Sequence, residues 1–163
     1  MKTIKLKTLL LGLILMQIIS SCSSTKQSSI NGMVARMEVK VPIKGVCDNN
    51  NVIVILPFPG SNQVGAVAPI TKEELLEALN TKVSFLADKP DYQDKGMVNL
   101  IVNCKGELVR CKIDNETKSP ELDKQIVAVF AGMKIWTAGS IDSIAFDTVL
   151  LYSFTIVDGK ISL

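Results

Sequence analysis

GMVNLIVNCKGELVRCKID, residues 96–114, decides the fold. Val98, Leu100, Val102 and Cys104 alternate with polar or opposite-facing residues, and so do Val109, Cys111 and Ile113. A period of two marks strands with one face buried. Lys105-Gly106 between them predicts a two-residue turn, because glycine takes positive φ without a Cβ penalty. With Cys104 opposite Glu107, Val102 meets Val109, Leu100 meets Cys111 and Val98 meets Ile113. The apolar faces coincide in that register, and a one-residue slip would turn one of them to water.

Beyond the hairpin, Ser119-Pro120 predicts a helix start, with Ser119 as N-cap and Pro120 at the first helical position. Glu121 and Asp123 suit the positive end of its dipole. Leu122, Ile126, Val129, Phe130 and Met133 recur at helical spacing as a buried stripe, and Gly132 weakens the last turn. Phe146, Thr148, Leu150, Tyr152, Phe154 and Ile156 then share one face of a long third strand, which Asp158-Gly159 turns before Ile161. The expected unit is α+β: a small antiparallel sheet in strand-strand-helix-strand order with the helix packed on it.

Upstream, the alternation of Ala35, Met37, Val39 and Val41 predicts a strand ended by Pro42. Asp48-Asn49-Asn50-Asn51 is turn material. Val52 to Leu56 is an apolar run of strand length, and Pro57, Pro59 and Gly60 open a loop through Ala68. Thr71 and Glu74 fit a capping box for a short helix to about Asn80, carrying Leu75, Leu76 and Leu79. The polar stretch from Asp88 to Lys95 reads as a connection. The expected organisation is thus an extension of extra strands and a short helix over 33–95, followed by the unit at 96–163.

The first residues read differently. Lys2, Lys5 and Lys7 precede an apolar run from Leu9 to Ile19 that is broken only by Gly12 and Gln17. A basic start, a short apolar centre and small residues at its end make a signal peptide over 1–21. Eleven residues at about 1.5 Å each reach roughly 16 Å, against a hydrocarbon core of about 30 Å. Ile19-Ser20-Ser21-Cys22 resembles the lipobox of bacterial lipoproteins. That resemblance implies cleavage before Cys22 and lipidation of its thiol, with residues 22–32 as anchor and tether. Two or more acyl chains hold a protein firmly on a membrane. The absence of acidic residues just after Cys22 leans toward the outer membrane, facing the periplasm.

The three leader lysines leave 15 basic residues against 16 acidic ones in the mature chain, a balance of −1. No nucleic-acid partner is expected on that balance, and neither is a small-molecule ligand. The chain contains no histidine. This removes histidine triads and most zinc sites, and no cofactor or metal is expected. Asp91, Asp94 and Glu107 are the candidate acid and base, but they sit in polar loops where carboxylates are normally solvated. Trp136 after the helix reads as core. The expectation is a non-enzymatic protein.

The C-terminal order resembles the C-terminal domain of TonB-family proteins. The resemblance rests on Gly96 to Asn103, the hairpin glycine Gly106, Glu121-Leu122-Asp123 opening the helix, Trp136 near a small-residue turn, and Gly159-Lys160-Ile161. It covers about the last 68 residues. Thr137-Ala138-Gly139 stands where the family has a proline after the tryptophan. The proline-rich linker and uncleaved membrane helix of the energy transducer are missing, so the resemblance implies a fold and a binding mode but no energy transduction. The family captures an extended segment of an outer-membrane receptor by strand addition, which requires an exposed sheet edge. Here that edge is expected at Asp147, Val149, Leu151, Ser153 and Thr155, with an envelope or outer-membrane protein as partner. The alternative is an accessory envelope lipoprotein whose edge is closed by the upstream strands.

An oxidising compartment makes a disulfide plausible among Cys47, Cys104 and Cys111. In the hairpin register Cys104 and Cys111 lie about four residues apart, roughly 13 Å, while a bridge needs Cα atoms within about 7 Å. A bridge therefore uses Cys47, with Cys104 or Cys111 as its partner.

Overall fold

Strand β4 (Asp94–Val102) is apolar from Met97 to Val102 apart from Asn99, because both of its faces are covered there. It lies between β5 (Leu108–Asn115) and β8 (Thr148–Val157), antiparallel to each. Val98, Leu100 and Val102 turn toward the helices, while Ile101 turns to a second, smaller core with Val52 and Val149. The computed structural model describes residues 34–55 and 62–163. The expected signal peptide, Cys22 and its tether lie outside the described residues, as do Leu56, Pro57, Pro59 and Gly60.

The architecture is α+β. Helix α1 (Lys72–Lys82) starts at the expected capping box: Thr71 Oγ1 accepts from the Glu74 N–H at 3.2 Å, and Glu74 Oε2 accepts from the Thr71 N–H at 2.8 Å. Helix α2 (Pro120–Ala131) begins at Ser119, whose hydroxyl accepts from Leu122 N–H. Its Leu122, Ile126 and Phe130 are fully buried against the sheet, joined by Leu75 and Leu79 of α1. Among the described residues no helix is long and apolar enough to cross a membrane.

The hairpin register holds at Val98–Ile113 and Leu100–Cys111 but changes near the turn. Val102 pairs with Leu108, and Val109 is displaced by a bulge into the second core. The turn is a three-residue loop, Cys104 to Gly106, rather than two residues. It is closed by Asn103 N–H donating to the Glu107 carbonyl at 2.9 Å. The Asn103 side-chain oxygen accepts from Lys105 and Glu107 N–H, which sets the wider loop. Gly106 has φ +80°, and a Cβ there would overlap the Trp136 carbonyl oxygen.

The expected third strand is interrupted. Phe146 belongs to a hairpin of β6 (Gly139–Ile141) and β7 (Ile144–Phe146), turned by Asp142 and Ser143, both at positive φ. With β3 (Gln63–Val64) these form a separate three-stranded sheet. Asp147 marks the corner, and β8 starts after it. The turn at Asp158-Gly159 leads back into β9 (Lys160–Ser162), antiparallel to β8.

Two upstream strands, β1 (Ala35–Arg36) and β2 (Ile53–Val54), complete the main sheet in the order β1-β2-β8-β4-β5. Strand β1 is shorter than the expected Ala35–Val41, because its partner β2 offers a two-residue ladder. Met37 and Val39 still pack into the second core, whereas Val41 is exposed. Strand β2 runs parallel to β8, so the sheet is mixed and not purely antiparallel. Strands β1 and β2 of the 33–95 extension are built into the same sheet as the C-terminal unit, while β3 joins the smaller one.

Candidate functional site

The expected edge falls on β8. Ile53 N–H donates to the Asp147 carbonyl at 2.8 Å, which fixes the outward side of the strand. Alternation then points the backbone groups of residues 149, 151, 153 and 155 the same way, while those of 150, 152 and 154 face β4.

Three of the five expected edge residues are engaged on that side. Asp147 accepts from Ile53, Val149 pairs with Val54 of β2, and Thr155 pairs with Ser162 of β9. The edge is therefore not open from Asp147 to Thr155, because β2 enters from one end and β9 folds back from the other. Between them Leu151 and Ser153 have no strand partner on that side among the described residues. They border a groove of about 540 Å³, whose other wall is Ala66, Ala68, Ile70 and Leu75. Leu151 is 50% exposed there.

The corner before β8 is closed and polar. The Asp147 residue is 2% exposed. Its Oδ1 accepts from Cys47 N–H at 2.9 Å and Cys104 N–H at 3.1 Å, and its Oδ2 accepts from Asp48 N–H at 2.8 Å. Cys47 and Cys104 form a disulfide with their Cα atoms 6.1 Å apart, which decides between the two expected partners of Cys47. The carboxylate thus ties together both arms of the bridge. Nothing local in the sequence signals this role: Asp147 sits at a strand position that alternation assigns to solvent, and its donors lie 43 to 100 residues away.

Cys47, Cys104 and Asp147 place their ligand atoms within 4.8 Å of one another. Both sulfurs are held in the disulfide, so neither is a thiolate able to ligate. Cys111 is free and half-buried against α2, with Sγ 3.7 Å from the Val127 carbonyl oxygen. Burial pushes its thiol up to about 11, which leaves it protonated and a poor nucleophile near neutral pH.

The candidate carboxylates do not converge. Asp94 and Glu107 lie toward opposite ends of the β4–β5 hairpin, and Asp91 is in the exposed loop before β4. Burial works to raise the Asp94 carboxyl, but the N–H groups of Lys118 and Lys95 and the Tyr92 hydroxyl outweigh it and hold the carboxyl below its ordinary value. Burial first, and then Asp94, push the Tyr92 hydroxyl up to about 12. Glu107 accepts from the Asn103 side-chain amide at 2.7 Å. Trp136 is buried, with Nε1 donating to the Met133 carbonyl at 2.8 Å.

Neither a family model, nor a curated protein, nor a solved structure matches this chain.

Proposed function

We propose that the chain is a non-enzymatic lipoprotein of the cell envelope, tethered to the outer membrane through lipid on Cys22 and facing the periplasm. In this reading its sheet captures an extended segment of an envelope or outer-membrane protein by strand addition, as the resemblance to TonB-family domains implies. One observation supports the binding role above the others. Leu151 and Ser153 present outward-facing backbone groups, without a strand partner among the described residues, to an apolar groove. Such groups form main-chain hydrogen bonds to an added strand, while side-chain pockets select its sequence.

A second reading is an accessory envelope lipoprotein with a closed edge and no peptide ligand. The pairing of Val149 by β2 and of Thr155 by β9 favours it.

Amide exchange separates the two readings. An open edge predicts fast exchange at Leu151 and Ser153 beside slow exchange at Leu150, Tyr152 and Phe154. Equal protection along β8 would eliminate strand addition. The anchor is tested by mass spectrometry of the cellular protein, which should begin at an acylated Cys22. A Cys22→Ser form should leave the membrane fraction.

A further inference from the structure

The hydrogen bonds around Cys47 and Cys104 hold the two residues together without help from the bridge. The Asp147 carboxylate accepts from the N–H groups of Cys47, Asp48 and Cys104. The Asn103 side-chain amide donates to the Gly45 carbonyl at 2.8 Å. Val46 and Val109 pack into the same small core. These ties join the 43–51 segment, the hairpin tip and the corner before β8, and none of them passes through sulfur. Opening the disulfide would therefore leave both side chains at the same corner.

The opened corner has the donor set of a metal site. Two thiolates and a carboxylate oxygen would converge from residues whose ligand atoms already lie within 4.8 Å of one another. Two sulfurs on one tetrahedral zinc, at about 2.3 Å each, sit about 3.8 Å apart. Rotation about χ1 reaches that separation from Cα atoms held 6.1 Å apart. Asp147 Oδ1 accepts two N–H groups, but Oδ2 accepts only that of Asp48 and keeps a lone pair for a ligand bond. Cys47 is exposed, so a fourth, water-filled position would open to solvent on its side. Thiolate ligands select zinc over calcium or magnesium. A buried carboxylate beside bare thiolates repels them, and a divalent cation cancels that repulsion.

We propose that Cys47, Cys104 and Asp147 form a redox-gated zinc site, closed while the disulfide stands and competent once it is reduced. A dithiol reductant delivers two electrons and two protons to the bridge and is itself closed to a disulfide. Zinc then takes both sulfurs as thiolates, and the two thiol protons pass to solvent.

The test uses the full-length chain carrying Cys22→Ser, which takes the anchor thiol out of the count. Chains reduced by a phosphine under argon and chains left oxidised are titrated with zinc alone by calorimetry. A parallel titration with cobalt(II) reads thiolate charge-transfer absorption. The expected result is one ion per reduced chain with release of protons, and no uptake by the oxidised chain. Cys47→Ser should abolish uptake, and Cys111→Ser should leave it unchanged. Losing even an outer-shell partner costs about 10–100-fold in metal affinity, so Asp147→Asn should weaken zinc binding at least roughly tenfold. Because Asp147→Asn also weakens the fold, the deciding comparison is the reduced parent against reduced Cys47→Ser, which differ by one atom at an exposed residue. Circular dichroism follows the fold in both: zinc should raise the thermal midpoint of the reduced parent and not that of Cys47→Ser. Absence of uptake by the reduced parent, equal uptake by the oxidised chain, or uptake that survives Cys47→Ser would each overturn the site. Full affinity in a folded Asp147→Asn form would overturn the carboxylate's part in it.

Discussion

The two stretches of β8 on either side of Leu150 are built to opposite ends. At the Asp147 corner everything is closed: a parallel neighbour, a buried carboxylate with three N–H donors, and a disulfide spanning 57 residues. Four residues on, Leu151 and Ser153 face a groove with no strand on their outer side among the described residues. The strand thus runs from a locked anchorage to a stretch with no outer neighbour among the described residues within about 15 Å. A site that must receive a strand without the sheet slipping needs that juxtaposition, because register is set where pairing is already fixed.

The contrast can be broken from the locked side first. Replacing Cys47 and Cys104 together by serine removes a long loop constraint and should cost about 4 kcal/mol by the chain-entropy model, read from urea denaturation. Asp147→Asn keeps the shape but puts an amide against donors that need acceptors. The expected loss is about 3 kcal/mol, since a buried unsatisfied group costs about 1–3 kcal/mol. Combined with the disulfide removal, the same change should cost less than it does alone, because the freed Cys47 segment can hydrate its own N–H groups. Strict additivity would mean that the carboxylate and the bridge act independently.

A proline scan tests the open side. Leu150→Pro deletes a donor facing β4 and should cost about 3 kcal/mol, whereas Leu151→Pro deletes one facing the groove and should cost about 1 kcal/mol or less. Equal losses would mean that the edge is closed in solution.

The smallest expected effects lie at Asp94 and Tyr92, by the start of β4 opposite Ile156. A carboxyl held below its ordinary value of 3.8 stabilises the fold above that pH, and the stability is lost as pH falls through the lowered value. A tyrosine pushed from 10 up to about 12 acts on the other flank. Its contribution is intact below pH 10 and is lost as pH rises through about 12. Asp94→Asn should flatten the acid-side slope of a stability–pH curve and leave the neutral plateau nearly unchanged. An unaltered acid slope would remove Asp94 from the account.

Legibility in the sequence followed the range of the forces involved. The capping box at Thr71 and Glu74 and the Ser119-Pro120 start are local, and both helices begin where the residues say. The pairs Val98–Ile113 and Leu100–Cys111 were readable because matching apolar faces admit one register. The turn was not, because Asn103 widens it with side-chain hydrogen bonds and Trp136 packs across Gly106. Alternation carried the third strand through Phe146, because residues 146 and 148 continue the pattern even though the chain changes sheets between them. The parallel placement of β2 is a tertiary choice with no local mark. The cysteines show the same limit: strand rise excludes Cys104 with Cys111, but only the path of residues 43–51 brings Cys47 to the hairpin tip. Of the five expected edge residues, Leu151 and Ser153 have no strand partner on the outward side among the described residues, since the partners of the other three lie remote in sequence or beyond a turn.

The bridge at Cys47 also has a mechanical meaning. Tension entering at Val34 would first unzip β1, which is held by a two-residue ladder. About 13 residues, roughly 45 Å of contour at 3.5 Å each, would then unreel before the load reached Cys47. From there a covalent link carries it to Cys104 at the tip of the central hairpin. Residues 48–103 lie inside the closed loop and cannot be extended by such a pull, so β4 and the packing beneath it would be shielded as long as the sulfurs stay joined.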